Sequence, residues 1–331
     1  MTLPVTALGT NGIEVGGQGL GCMGMSEFYG ESDLTESRAT LDRALEFGIT
    51  LFDTADIYGS GHNEELLSDF VRANRDRVVL ATKFGIVRKA EDPAYRGFDN
   101  SPGYIRKSVD GSLKRLGVDV IDLYYMHRRD PQVPIEDTVG VMAELVAAGK
   151  VRALGLSEVT GDELRAAHAV HPIAAVQSEW SLFSRDVERT AVPAAAELGV
   201  AFVPYSPLGR GFLTGKPITA DPKDYRRNMP RFTGDNAAHN TELLAPLAAI
   251  AAARGVTQAQ VALAWVHAQA GVHNLPVVPI PGTRSRNRLA ENVDAATLAL
   301  TADELSTLEP IADKVAGPRY ADMSFTSAGR E

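Results

Sequence analysis

Four side chains of complementary chemistry occur in order along the 331-residue chain: the carboxylate of Asp53, the phenol of Tyr58, the amine of Lys83 and the imidazole of His127. They stand in Leu51-Phe52-Asp53-Thr54-Ala55-Asp56-Ile57-Tyr58-Gly59, in Ala81-Thr82-Lys83-Phe84 and in Asp122-Leu123-Tyr124-Tyr125-Met126-His127. A phenol has an ordinary pKa of about 10, too high for an efficient acid at neutral pH. An ammonium beside it favours the phenolate and lowers that value. A carboxylate keeps the amine charged, because an unpaired buried ammonium is costly. A neutral imidazole can orient a carbonyl oxygen. Together they form a general-acid site for a group that gains negative charge on oxygen, as a carbonyl does on accepting hydride. Singly, each has a plainer explanation: a capping aspartate, a packed tyrosine, a paired lysine, a structural histidine.

The chemistry therefore depends on elements that bring the four together. Short β-branched runs alternate with amphipathic stretches along the chain. The runs are 17–20, 49–52, 78–82, 120–126, 151–156, 173–176, 200–204 and 277–280. The helical stretches include 36–47, 64–71, 103–116, 135–148, 162–171, 187–198 and 259–269. Strands alternating with helices imply βαβ units and a parallel sheet. Gly48, Gly117, Gly149 and Gly199 sit where C-terminal helix caps belong, and Ser101-Pro102 and Thr257 where helices start. Asp53, Lys83, His127, Ser157, Glu179 and Ser206 each fall at or just past the end of a different run. All such ends converge on one face only if the sheet closes into a barrel. The α/β fold predicted is one (β/α)8 TIM barrel, with residues 1–331 forming a single domain. An N-terminal β-hairpin over 5–15, turning at Gly9-Thr10-Asn11-Gly12, lids the closed end. A long loop over 208–240 follows strand 7, and a length like that is usually functional. A further helix is predicted over 302–315.

Composition narrows the function. A hydrophobic fraction of 44% and a charged fraction of 23% are those of a globular protein. The net charge of −9 argues against nucleic acid as a partner. Arginines cluster at Arg226, Arg227 and Arg231, and again at Arg284, Arg286 and Arg288, a scale suited to one phosphorylated small molecule. The single cysteine, Cys22, fits a reducing compartment such as the cytoplasm. No signal peptide or membrane-spanning run is visible. Gly19-Leu20-Gly21-Cys22-Met23-Gly24 matches GxGxxG. It lacks a following helix start, so it reads as a glycine-rich crossing beside a ligand rather than a Rossmann fingerprint.

The ordered set Asp53, Tyr58, Lys83 and His127 resembles the catalytic tetrad of the aldo-keto reductases. The resemblance runs from Val5 to Asn292. It is carried also by Gly149-Lys150-Val151-Arg152-Ala153-Leu154-Gly155-Leu156-Ser157, by Val176-Gln177-Ser178-Glu179, by Tyr205-Ser206-Pro207-Leu208-Gly209-Arg210-Gly211 and by Pro281-Gly282-Thr283-Arg284 leading to Arg288 and Glu291-Asn292. The motif Gly-Cys-Met-Gly-Met-Ser, residues 21–26, is similar to that of the bacterial and plant branch. What the resemblance implies is an NADPH-dependent reductase of aldehydes or ketones, with Tyr58 as acid and a small-molecule carbonyl substrate. It implies NADP(H) contacts from Met23 and Asp53, from Ser157 and Gln177 on the nicotinamide carboxamide, and from Tyr205 stacked on the ring. Ser206, Pro207, Leu208, Gly209, Gly211 and Lys216 would wrap the pyrophosphate. Gly282, Arg284 and Arg288 would lie near the 2′-phosphate, and Glu291 and Asn292 on the adenine. Met25, Phe28, Tyr29, Phe84, Arg128, Trp180, Met229 and Phe232 are candidates for the substrate wall, and no metal is expected. Cys22 is expected at the mouth of the site.

Two positions depart from the family pattern. Glu158 stands where many members have asparagine, and Gly282-Thr283 where many have Lys-Ser, with Arg284 as the substitute cation. The alternative function is a nucleotide-binding regulatory subunit of the same fold with little turnover. A metal-dependent barrel hydrolase is disfavoured, because the histidines form no His-x-His pair at a strand end.

Overall fold

The computed structural model describes residues 3–30, 32–89, 92–216 and 224–331. An antiparallel hairpin opens the chain, β1 (Val5–Leu8) and β2 (Ile13–Gly16). Parallel strands and helices then alternate: β3 (Leu20–Gly21), α1 (Leu34–Glu46), β4 (Leu51–Asp53), α2 (His62–Ala73) and β5 (Val79–Phe84). An inserted hairpin, β6 (Ile86–Lys89) and β7 (Asp92–Phe98), precedes α3 (Pro102–Leu116). The alternation resumes with β8 (Ile121–Met126), α4 (Ile135–Ala147), β9 (Val151–Ser157), α5 (Gly161–Val170), β10 (Ile173–Glu179), α6 (Ala191–Leu198) and β11 (Ala201–Tyr205). Five helices follow: α7 (Gly234–Glu242), α8 (Ala245–Arg254), α9 (Gln258–His273), α10 (Arg286–Asp294) and α11 (Ala302–Leu308).

The parallel sheet has seven strands in the order β11-β10-β9-β8-β5-β4-β3. The predicted eighth strand, 277–280, closes it without forming a ladder. Val278 and Ile280 donate to the carbonyls of Phe202 (2.9 Å) and Pro204 (3.0 Å) on one edge, and Pro279 accepts from Gly19 (2.9 Å) on the other. Pro276, Pro279 and Pro281 lack amide donors, which is why this segment bridges rather than pairs regularly. The closure also explains the glycines of the GxGxxG match. A Cβ on Gly19 would stand 2.9 Å from Ile280, and one on Gly21 3.0 Å from the Ile280 carbonyl. The result is the (β/α)8 barrel.

Successive strand residues face opposite sides. Leu51, Ala81, Leu123, Tyr125, Ala153, Ala175, Ala201 and Val203 fill the barrel interior, joined by Leu8, Ile13 and Val15 of the first hairpin. That hairpin therefore plugs the closed end, and each such apolar side chain contributes about 1.5–3 kcal/mol by its burial. Tyr124, Met126, Leu154, Leu156, Val176 and Phe202 face outward, under the helices. The caps behave as their sequences dictate. Ser101 accepts from the Tyr104 amide with Pro102 in the first turn, and Thr257 and Gln260 form a capping box. Gly48, Gly117, Gly149 and Gly199 all take the left-handed conformation.

Three elements differ from expectation. The span 208–240 is largely structured among its described residues, with 3-10 turns at Gly209–Thr214, Tyr225–Asn228 and Pro230–Phe232 and then α7. Helix 302–315 ends at Leu308 and tightens into a 3-10 segment, Glu309–Lys314, at Pro310. The hairpin β6–β7 was not foreseen, its strands being too charged to show alternation.

Candidate active site

Asp53 ends β4, Lys83 lies one residue before the end of β5, His127 follows β8, and Tyr58 opens the turn Tyr58–Gly61 after β4. Register makes them neighbours, with Asp53 opposite Ala81 and Lys83 opposite Tyr125. The Lys83 amine is completely buried. Its three donors are all used: on Asp53 Oδ1, on the Thr54 carbonyl (2.8 Å) and on the Tyr58 hydroxyl (3.3 Å). Asp53 Oδ2 accepts from Gln177 Nε2 at 2.9 Å. The rings of Tyr58 and His127 meet edge to face, 5.7 Å apart.

Burial opposes the charge on Lys83, but Asp53 and Tyr58 outweigh it and hold the amine above its ordinary value. For Tyr58 the balance is the reverse of that expected from sequence. Burial raises the phenol pKa by more than Lys83 lowers it, so Tyr58 stays a neutral acid. Burial, then the charges of Arg128 and Lys83, hold His127 neutral, well below its usual value. Its Nδ1 is buried without a partner.

Beside the tetrad, Ser157 ends β9 and faces Gln177 across the register. Ser157 Oγ accepts from Arg128 Nη1 at 3.1 Å. The next residue, Glu158, is fully buried in a left-handed turn (φ 53). It accepts from both Arg319 nitrogens (2.9 and 3.1 Å), the Tyr205 hydroxyl (2.7 Å), and the amides of Glu179 (3.2 Å) and Ser327 (3.1 Å). Burial alone would raise its pKa, but Arg319 keeps it ionised, far below the carboxylate range. Arg319 also pairs with Asp186 at 3.0 Å, and Arg330 with Glu163 at 2.7 Å. The C-terminal segment 316–331 is thus strapped across the open face. Phe325 packs on Tyr320 and Phe98, and Arg210 donates to Tyr320 at 2.5 Å. This strap escaped sequence reasoning. The signal for it was Glu158, an acid at a strand end whose partner lies 161 residues away.

The other expected contacts fall into two groups. Ser206 (φ 48), Pro207 and Leu208 lead from β11 into the turn holding Gly209 (φ 54) and Gly211 (φ 88). Lys216 is exposed beyond it. Met23 opens the short turn Met23–Met25. Gly282 bridges to Gly21. Arg284 donates to the carbonyls of Gly24, Gly30 and Tyr29 (3.2, 3.0 and 2.7 Å), clamping the 24–30 loop. Exposed Arg288 lies near enough to depress the Arg284 pKa, after burial. Glu291 accepts from Thr257 Oγ1 at 2.5 Å, and Asn292 is buried. Elsewhere the arginine clusters are tied down: Arg226 to Asp224, Arg231 to the Gly317 carbonyl, Arg286 to Glu36.

Of the substrate-wall candidates, Arg128 adjoins the tetrad. Phe28 packs on Tyr225 at 5.3 Å, Arg226 lies over the Tyr29 ring at 5.7 Å, and Phe232 stacks on Phe212 at 5.1 Å. Met229 is 2% exposed. Three candidates belong to the core instead. Lys83 points inward, so Phe84 points outward, onto Tyr124. Trp180 packs on Phe202 and donates to Glu188 at 2.8 Å. Met25 is buried among Leu41, Leu66 and Leu67. Cys22 is likewise buried, not at the mouth, and burial first, then Asp53, pushes its thiol far above the usual range. It is an unreactive thiol.

The Aldo/keto reductase family sequence model matches residues 19–313. The glycerol dehydrogenase of Gluconobacter oxydans is 28% identical, with a TM-score of 0.82 over 96% of this chain and 98% of that one. The holo form of an aldo-keto reductase from Bacillus halodurans is 27% identical, with a TM-score of 0.71 over 96% and 98%. An aldo/keto reductase from Klebsiella pneumoniae, solved with NADP and acetate, is 26% identical, with a TM-score of 0.71 over 96% and 97%.

Proposed function

The chain belongs to the aldo/keto reductase family, and we propose that within it the protein is an NADPH-dependent reductase of aldehydes and ketones with Tyr58 as general acid. The observation that carries this reading is the Lys83 amine spanning Asp53 and the Tyr58 hydroxyl, with a neutral His127 on the other side of the phenol. The dinucleotide, when bound, supplies hydride to the carbonyl carbon. Tyr58, neutral at the start, gives its proton to the oxygen as negative charge grows there. Lys83 already donates to the Tyr58 oxygen, so it stabilises the phenolate left behind. Asp53 keeps Lys83 charged and aimed, and Gln177 fixes the second oxygen of Asp53. His127, neutral and paired with nothing through Nδ1, is free to carry its proton on Nε2 and donate to the carbonyl oxygen.

Three features support NADP(H) over other partners. Gly209 and Gly211 hold a left-handed loop that lets backbone amides approach phosphate. Helix α10 begins without a side-chain cap on its amides. Arg284 and Arg288 repel one another at that end, an arrangement that an added phosphate relieves.

The test follows NADPH oxidation with an electron-poor benzaldehyde. Tyr58→Phe is expected to lose at least about 10²-fold in kcat with NADPH affinity kept. Near-normal turnover in the variant overturns the role of Tyr58. Nucleotide binding without turnover across a carbonyl panel favours the regulatory-subunit alternative, and tighter binding of NAD⁺ than of NADP⁺ overturns the roles of Arg284 and Arg288.

A further inference from the structure

The buried charges at the open face of the barrel do not cancel. Asp53 is matched by Lys83. Glu158, Glu179 and Asp186 are matched by Arg319, Arg210 and Arg231, which lie 2.9 to 3.9 Å from them. Arg128 remains. It is 8% exposed, yet no carboxylate of the described residues comes within the 4.0 Å of an ion pair. Its Nη1 makes both of its hydrogen bonds, to the His127 carbonyl (2.6 Å) and to Ser157 Oγ (3.1 Å). Both acceptors are neutral. Among the described residues, Nε and Nη2 make no hydrogen bond.

Burial opposes the charge on Arg128, while Tyr205 and Glu158 favour it from a distance; a buried cation with no carboxylate in direct contact is still an expensive arrangement. Structures normally remove it by pairing, and this one pairs every neighbouring arginine. The guanidinium is instead flanked by the rings of Tyr205 and Phe325, 5.9 and 5.8 Å from Cζ. Rings on a guanidinium hold its plane without neutralising it. What is left is a fixed fork of donors next to the proton donor, since the charge of Arg128 is felt by Tyr58. Such a fork matches a carboxylate.

We propose that Arg128 is a specificity-determining residue that pairs with a carboxylate on the substrate, so that the preferred carbonyl compounds are oxo acids and carboxylated aldehydes. The inference rests on the carbonyl-reductase reading and narrows its substrate class.

Matched acid and ester pairs isolate the charge: 4-carboxybenzaldehyde against methyl 4-formylbenzoate, and succinic semialdehyde against its methyl ester. In the wild type, kcat/KM for each acid is expected to exceed that of its ester at least tenfold. Arg128→Gln is expected to bring the ratio to about one or below, whatever it does to turnover of the ester, and Arg128→Lys to restore part of it. A wild-type ratio of one or less, or a ratio unchanged in Arg128→Gln, overturns the proposal. Failure to reduce any carbonyl compound would count against the reductase reading itself. Charge recognition is then read by calorimetric titration of benzoate into the NADP⁺-loaded protein. Binding that weakens at least tenfold in Arg128→Gln upholds the proposal, and equal binding by the two proteins overturns it.

Discussion

Replacing Lys83 by methionine would leave the Asp53 carboxylate buried with Gln177 as its remaining side-chain partner. Breaking one half of a buried pair in this way costs about 3–5 kcal/mol. The neutral double variant Asp53→Asn with Lys83→Met should recover most of that stability in urea denaturation while remaining inactive, because the charge that steadies the phenolate is gone. If the double variant is as unstable as the single, the pair is not the source of the loss. At this scale the sequence was a good guide to identity and a poor one to direction. Asp53, Tyr58, Lys83 and His127 were legible because each sits at a strand end, where a barrel gathers side chains. Phe84 and Trp180 occupy similar positions and were misplaced, since inward or outward facing depends on a pairing register that spacing alone does not set. The Tyr58 acidity was misjudged for a related reason: the presence of Lys83 could be read, but the depth of burial that outweighs it could not.

The C-terminal strap is the element whose importance had no local signature. Segment 316–331 has neither helical nor strand period, and its hold on the barrel comes from Arg319 on Glu158 and Arg330 on Glu163. Arg319→Ala strands the Glu158 carboxylate with Tyr205 and the amides of Glu179 and Ser327, and trypsin should then remove the residues after Lys314 at least about tenfold faster than from the wild type. That follows from the several kcal/mol lost with a buried partner. Unchanged protection, read by mass spectrometry, would mean that the Phe325 and Tyr320 rings hold the strap without the ion pair. Helices were more legible where caps mark them, although 187–198 begins only at Ala191, 259–269 runs on to His273 and 302–315 ends at Leu308. Thr257 and Ser101 announce their starts, and four glycines their ends. The hairpin over 86–98 was missed because Arg88, Lys89 and Asp92 interrupt any alternation.

Across the whole molecule, two buried groups tilt stability with pH in opposite directions. His267, pushed down to about 4 by burial, stays neutral in the fold while the unfolded chain protonates it near 6.5. The unfolded state then binds more protons, so its contribution is present above pH 6.5 and is lost as pH falls toward 4. Asp56, raised to about 8 by burial and then by Glu64, keeps its proton in the fold while the unfolded carboxyl ionises near 3.8. Its contribution is present below pH 3.8 and is lost as pH rises toward 8. Each proton corresponds to about 1.4 kcal/mol per pH unit. In a pH series of unfolding free energies, His267→Gln should therefore remove a rise between about pH 4 and 6.5, and Asp56→Asn a fall between pH 3.8 and about 8. An unaltered slope in either variant would exclude that residue as the source. Barrel closure bears on a different moment in the life of the protein. Among the described residues, the two edges of the sheet, at Gly19–Gly21 and Phe202–Pro204, are joined only through Pro276–Gly282. While a ribosome is still making the chain, the first seven strands exist with both edges open, and no helix or hairpin encoded upstream can seal them. The nascent barrel is thus most exposed to edge-to-edge aggregation just before the segment that completes it leaves the exit tunnel.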